Sequence, residues 1–476
     1  MLFNHSPKSV SYTFDESNLV SVAGLAPVMA LAQNAGLASL AQDKVTVYTT
    51  GADKGANPGA KISSVVAGMV AGADSIDDLD ALRHGGMKSL FDAVYAPSTL
   101  GSHLRAYTHG HVRQLDAVGA QLLRNLGAYA RLLPVTPGAG GTGSMRFVDI
   151  DDTVIEVYSA KKQGAGYGYN KTRGLNGLLA TASTVEAAPV VVGQRLRKGS
   201  AHSARGAAKL LRDALGATNR IPGQAGPVVV RADSAYYNAS IAKAAGDGRA
   251  ELSVTVRMDT KIKTAIAGID EQAWTTIEYK NAIFDEATGQ WISEAEVAEV
   301  PFIAFSSKKK NLQVNGRLIV RRVPEKNARK LAAGQDTIFD VYRHHGFFTT
   351  ISPQVLDTAA ADRMHRGHAI IEQVNSELKA GPLAHMPSGK FQANAAWLAL
   401  TTMAHNLMRT AATIIGVATA RVRALTLRAR IITIPARLAN HSRVLTLHLP
   451  TDWKWADDFA RLWHAVLGPS PPAANT

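Results

Sequence analysis

Three groups of residues stand out by position. In Phe147-Val-Asp-Ile-Asp-Asp-Thr-Val-Ile155, strand alternation sets Asp149 and Asp151 on one face among strongly apolar neighbours. Carboxylates withdrawn from water in a sheet are costly unless something pairs with them. A metal ion is one such partner; a strand end emerging into solvent is the alternative. In Val228-Val-Val-Arg-Ala-Asp-Ser-Ala-Tyr-Tyr237 an apolar run ends in Asp233, as when a buried strand delivers a carboxylate at its C-terminal edge. The same residue also reads as the cap of a helix starting near Ala235. His365, His368, Glu372 and Lys379 follow at intervals of three, four and seven, within about 60° on one helix face; an ordinary exposed face has the same spacing. Carboxylates from two strands and one helix make a hard oxygen donor set suited to Mg²⁺ or Mn²⁺. Two such ions about 3.5–4 Å apart serve an in-line phosphoryl displacement by assisting the attacking and leaving oxygens. A Zn²⁺ site from His365, His368 and Glu372 fits the spacing, but leaves both aspartate strands unexplained.

The elements that must position these residues follow from periodicity. Residues 1–133 read as helical, with apolar recurrence at three and four in Leu19 to Leu40, Ile62 to Met69 and Val118 to Leu133. Ser75 and Ser98 read as caps of two short helices with helix-turn-helix spacing, a pattern that ordinary helix packing also gives. Residues 134–144 are a glycine-rich linker. Residues 145–259 alternate strands with a helix, which predicts an α/β fold with a mixed sheet. Residues 260–348 are strand-rich, best in Trp274 to Tyr279, Val300 to Phe305 and Arg317 to Val323. Residues 349–400 hold one long helix from about Leu356 to Lys379, and 401–476 form a basic helical region.

The 476 residues carry a net charge of +14, enough chain for several domains and a sizeable core. The charge is local. From Leu378 to Pro450 there is no acidic residue, while Lys379, Lys390, Arg409, Arg421, Arg423, Arg428, Arg430, Arg437 and Arg443 supply nine positive charges. Such a stretch points to a polyanion, nucleic acid before membrane, with a solvated basic face as the alternative. The absence of cysteine excludes disulfides, thiolate nucleophiles and Cys-ligated metals. The apolar stretch 395–418 contains His405, Asn406 and Arg409, so it predicts a buried helix rather than a membrane span. The N-terminus lacks a signal-peptide pattern, and a cytoplasmic, nucleoid-associated location is expected.

With these residues in place, the chain resembles the DDE transposases of bacterial insertion sequences. The likeness is to the thirteen-eighty group, within the class whose catalytic helix carries Tyr-x2-Arg-x3-Glu-x6-Lys. It rests on Val148-Asp-Ile-Asp-Asp-Thr153, Tyr167-Gly-Tyr-Asn-Lys-Thr-Arg-Gly174, Leu196-Arg-Lys-Gly199, Arg231-Ala-Asp-Ser-Ala-Tyr-Tyr237, Ile292 to Phe302 and Arg317 to Val323, with Glu372 and Lys379 fitting Glu-x6-Lys. The resemblance implies an RNase H-like mixed sheet flanked by helices, a β-rich insertion over 260–348 and an all-α N-terminal DNA-binding domain. It implies Asp151, Asp233 and Glu372 as catalytic acids and metal ligands for Mg²⁺ or Mn²⁺ as two ions, with Asp149 as the alternative first acid.

Lys379 matches the phosphate-contacting lysine, while His365 and His368 stand at the Tyr and Arg positions of that contact. A neutral histidine clamps phosphate less well than a guanidinium. The implied reaction is hydrolytic nicking at the element ends, followed by attack of the freed 3′-hydroxyl on target DNA. The expected partners are double-stranded DNA, as terminal inverted repeats and target, and a second copy in a homodimer; no membrane is expected. Lys308, Lys309, Lys310, Arg321 and Arg322 are expected along the DNA path, a solvated hairpin tip being the equal alternative for the three lysines, with Arg421, Arg423, Arg428 and Arg430 beyond the catalytic helix. In related enzymes a tryptophan of the β insertion stacks on a flipped base; Trp274 and Trp291 are the candidates here, with a core or interface role as the favoured reading of each. The alternatives are a catalytically inactive transposase-derived DNA-binding protein and an RNase H-like nuclease without strand transfer.

Overall fold

A computed structural model describes residues 11–47, 55–136, 138, 140–223, 226–285, 290–324, 342–441 and 444–469. Its strands are β1 (Leu19–Val20), β2 (Arg146–Glu156), β3 (Gly166–Tyr167), β4 (Arg173–Ser183), β5 (Val190–Lys198), β6 (Val228–Ala232), β7 (Glu251–Thr255), β8 (Thr275–Asp285), β9 (Gln290–Ala304), β10 (Val314–Pro324), β11 (Tyr342–Thr349), β12 (Ala436–His441) and β13 (Val444–His448). Ten of them build one mixed sheet in the order β3-β4-β2-β6-β7-β11-β10-β9-β8, with β5 also on β4. At its centre β2, β6 and β7 run parallel, and β4 pairs antiparallel with β2. The Val-Val-Val of β6 is buried on both faces, as a central parallel strand requires. The strand-rich segment is not a separate layer. It opens with a helix, Thr260–Ala267, and β11 returns beside β7, pairing Phe348 with Val254, so the whole segment extends the central sheet.

One helix joins the sheet to the helical region. Phe391–Ile415 is buried on nearly every side and packs against β5 and the helices His109–Leu126 and Pro58–Ala71. That all-round burial explains its apolar composition; no helix among the described residues is long and apolar enough to cross a membrane. Its Asn406 donates to the Val191 carbonyl and accepts from the Val191 N–H, both at 2.7 Å. The amide thus completes β5 where the β4–β5 register shifts.

Several expectations are corrected. The helix beginning at Pro97 has Ala96 at its cap position, because proline at the first helical position presets the backbone there; Ser98 lies inside the first turn. Ser75 does bond reciprocally with Asp78, but the short helix it leads into, Asp77–Arg83, is 3₁₀. The N-terminal region is not purely helical, since β1 pairs with β12, and the C-terminal region holds the β12–β13 hairpin before its last helix, Ala456–Leu467.

The expected single helix from Leu356 to Lys379 is two helices, Thr358–Arg366 and Ile370–Lys379, joined by a 3₁₀ turn at Gly367–Ala369. A Cβ on Gly367 would lie 2.6 Å from Arg231 Nη1, and that same nitrogen donates to the Met364 carbonyl at 2.9 Å. The guanidinium therefore occupies the space and takes a carbonyl that a continuous helix would use.

Candidate active site

Strand β2 sets acids on both of its faces. Asp149 is fully buried and receives Arg231 Nε at 2.7 Å and Nη2 at 2.8 Å, a bidentate pair, with His368 Nδ1 at 3.1 Å. Burial alone would raise its pKa, but Arg231 and His368 together hold it below the usual carboxylate range. Asp151, two residues on, points the same way, as alternation requires, and accepts Asn375 Nδ2 at 2.8 Å. No cation neutralises it to that degree. Burial, with the charges of Asp233 and Asp152 adding, raises its pKa to about 6 against the opposing pull of a backbone hydrogen bond and His368.

On the opposite face Asp152 accepts the Tyr236 hydroxyl at 2.9 Å, pairs with Arg197 at 3.0 Å and receives the Asn176 amide. Arg197 also donates to the carbonyls of His202, Ser203 and Arg205, so this acid ties β2, β4, β5 and the turn after β6 into one buried node.

Asp233 follows the last residue of β6 and stands at the cap position of the 3₁₀ turn Ser234–Tyr236, yet its side chain makes no capping bond. The next helix starts at Ala239 with Asn238 as its cap, so the capping reading does not use the Asp233 carboxylate. That carboxylate is more than half exposed, with His368 Nε2 at 3.7 Å. His368 thus reaches Asp149 through one ring nitrogen and Asp233 through the other. Burial would lower its pKa; the hydrogen bond to Asp149 and both acidic charges raise it.

Glu372 is exposed on the Ile370–Lys379 helix, four residues after His368 and three before Asn375. Asn375, on the same helix, bonds Asp151, so Glu372, one turn before it, lies on the side of that helix turned toward β2. Lys379 ends the same helix, exposed. Among the described residues, no three His, Asp or Glu side chains are gathered closely enough to hold a metal ion. The donors nevertheless suit a hard divalent cation in kind: all are carboxylate oxygens, and the partly buried Asp151 is bonded by an amide and by no cation, with His368 acting on it only through its charge.

Other expected site residues are spent inside the protein. His365 lies against the sheet, its ring nitrogens bonded to the hydroxyls of Ser253 at 2.8 Å and Thr255 at 3.0 Å, and its ring is stacked on Phe347. Burial and the neighbouring positive charges lower its pKa well below the usual histidine value, so it is a neutral packing residue here rather than a phosphate contact. Arg322 pairs with Glu296 and Glu271 and lies over Trp274, whose ring also faces His344. Arg322 is thus already paired with two acids, and Trp274 is half-buried beneath it; the Trp291 side chain and Arg443 lie outside the described residues.

Arg321 pairs with Asp362 at 3.4 Å. Lys308, Lys309 and Lys310 are exposed beyond the end of β9. Arg421 and Arg423 are exposed, Arg430 lies over Trp455, and Arg428 is drawn inward onto the carbonyls of Val70 and Met69. Arg409 is buried beside Glu377. Two cavities of about 340 and 400 Å³, both lined in part by Arg113, Asp116, Gln194 and Arg195, do not touch the carboxylates of the candidate site.

Arg231 and Asn375 are partners of these acids that are not among the expected site residues. Arg231 sits two residues before Asp233 in an otherwise apolar strand, and Asn375 sits three residues after Glu372, so the strand and helix periods carried both signals.

The sequence profile of a family described as transposase DDE domain group 1 matches residues 4–468. No curated protein matches the chain. Among solved structures, the cryo-EM structure of the piggyBac transposase synaptic complex with hairpin DNA is similar at 9% identity and a TM-score of 0.41, over 85% of this chain and 78% of that one.

Proposed function

Because the chain belongs to the transposase DDE domain group 1 family, we propose that it moves a bacterial insertion sequence of the thirteen-eighty group. It nicks DNA by hydrolysis at the element ends and joins the freed 3′-hydroxyl to target DNA. The observation that carries this reading is the placement of Asp151 on β2, of Asp233 just beyond the neighbouring parallel strand β6, and of Glu372 on the helix face turned to them. The order β5-β4-β2-β6-β7, with β4 reversed, supports an RNase H-like core.

Asp151, Asp233 and Glu372 would hold Mg²⁺ or Mn²⁺, which when bound supplies activation of the attacking oxygen and charge neutralisation at the phosphate. Asp149 is not the first acid in this reading, since its oxygens are committed to Arg231 and His368. Arg231 fixes Asp149, and His368 carries that anchorage across to Asp233. Asn375 orients Asp151, and Lys379 contacts a DNA phosphate two turns beyond Glu372. The helical N-terminal region reads the terminal repeats, and two copies bring two ends together. The reaction belongs to the cytoplasm, at the nucleoid.

The test is to incubate the full chain with Mg²⁺ and DNA carrying the ends of its own element. Nicked and joined products are expected, falling about a thousandfold in Asp233→Asn and Glu372→Gln, an effect of several kcal/mol on the barrier. Binding without cleavage overturns the enzyme reading, and cleavage without joining favours a nuclease.

A further inference from the structure

Three phenols stand in water on one short connection. Between β2 and β4, Tyr158, Tyr167 and Tyr169 are 85%, 69% and 75% exposed, with exposed Lys161 and Lys171 interleaved. The connection is firmly held. Arg173 donates to the carbonyls of Val157, Ser159 and Ala160, Lys162 bonds the Met386 carbonyl, and the Gln163 N–H bonds the Gly389 carbonyl at 3.0 Å. Tyr167 belongs to β3, and Tyr169 rides a tight turn closed from the Gly168 N–H to the Thr172 carbonyl at 3.0 Å, with Lys171 in the left-handed region at φ +60°. Exposed apolar rings on so rigid a frame are offered to something outside the chain.

Their position identifies the neighbour. A Cβ on Gly168 would lie 2.6 Å from the Val154 side chain, which shares the Asp152 face of β2 near that strand's end, so the turn packs against the end of the acid-bearing strand. Burial and then the charges of Asp151, Asp152, Asp233 and Glu372 raise the Tyr169 pKa, which puts the phenol in the field of all of them. Bases present a π-face without formal charge, so stacking can hold a nucleotide beside carboxylates that repel its phosphate. We propose that the Tyr158–Lys171 connection is a stacking platform for unpaired nucleobases of the strand lying at the carboxylates, with Tyr169 and Tyr167 under the bases and Lys161 and Lys171 on the backbone. The identity of the ligand as DNA rests on the transposase reading.

The experiment uses the full chain in EDTA, a fluorescein-labelled oligothymidine and a duplex of equal length, read by fluorescence anisotropy, with thermal melting as the folding control. Tyr167→Ala and Tyr169→Ala should each weaken oligothymidine binding about tenfold and leave duplex binding unchanged, while Tyr169→Phe binds as the parent does. Lys161→Ala with Lys171→Ala should instead flatten the salt dependence. The platform is overturned if the parent ignores oligothymidine, if the alanine variants bind it undiminished, or if both DNA forms weaken equally. A chain that binds oligothymidine through these rings but cuts nothing keeps the platform and loses the enzyme.

Discussion

Asp149 and Asp151 share a strand and a face, yet they are treated oppositely. Asp149 has a bidentate guanidinium and an imidazole and titrates low; Asp151 has one amide and titrates high. Asp152, facing the other way, is closed off like Asp149 by Arg197, Asn176 and Tyr236. Folding alone would be served by pairing all three. The sheet instead bonds guanidinium groups to two of these acids and leaves the third, Asp151, with a single amide.

Removing an anchor puts that contrast under the greatest strain. Arg231→Met leaves Asp149 buried without its counter-charge and empties the space beneath Gly367 that keeps the two helices apart. It should cost about 3–5 kcal/mol by urea denaturation, and adding Asp149→Leu should restore most of that loss. Asp233→Asn, on the open side, should change stability by less than about 0.5 kcal/mol. Equal losses from both substitutions would erase the distinction between anchor and site.

The sequence made the central layer legible because its signals are local. The Val-Val-Val run of β6, the alternation of β2 and the stripe from His368 to Lys379 all fall on elements close to those expected. What it hid was decided by contacts distant along the chain. Gly367 looks tolerable inside a helix until Arg231, more than a hundred residues earlier, is seen beneath it. Arg322, Arg409 and Arg428 count toward the basic charge, yet each is committed within the fold, to acids or to helix-end carbonyls. His365 fits the polar stripe by spacing, but the break at Gly367–Ala369 turns it into the sheet, onto Ser253, Thr255 and Phe347.

A smaller effect should appear at Asp151 itself. A carboxyl whose pKa rises on folding from 3.8 to about 6 keeps its proton longer when folded, so stability falls as pH climbs through that window and stays lower above it. Asp151→Asn removes the penalty while keeping an acceptor for Asn375. In EDTA the variant should match the parent near pH 4 and exceed it above pH 7 by up to about 3 kcal/mol, measured as unfolding free energy. Adding Mg²⁺ should narrow the gap by stabilising the parent alone. A gap independent of pH would mean that Asp151 is as well neutralised as Asp149.

The mildest test carries the comparison to the basic segment, where it separates exposed arginines from anchored ones. Arg421 and Arg423 are exposed, Arg421 while also donating to the Val185 carbonyl at 2.6 Å, whereas Arg428 is drawn inward onto the carbonyls of Met69 and Val70 near the end of the Pro58–Ala71 helix. Each phosphate contact releases counterions, so neutralising Arg421 and Arg423 together should flatten the slope of log affinity against log salt for duplex DNA by about two units. Arg428→Ala should leave that slope alone and cost about 1–3 kcal/mol of stability, because it takes its donor from the Val70 carbonyl, while the Met69 carbonyl keeps the Gly72 N–H. The pattern depends on burial rather than position, for all three lie within eight residues of one another. If Arg428→Ala changes the salt slope as the exposed pair does, its side chain leaves the helix end to meet DNA, and the net charge of the segment, not its solvent-facing part, sets the affinity.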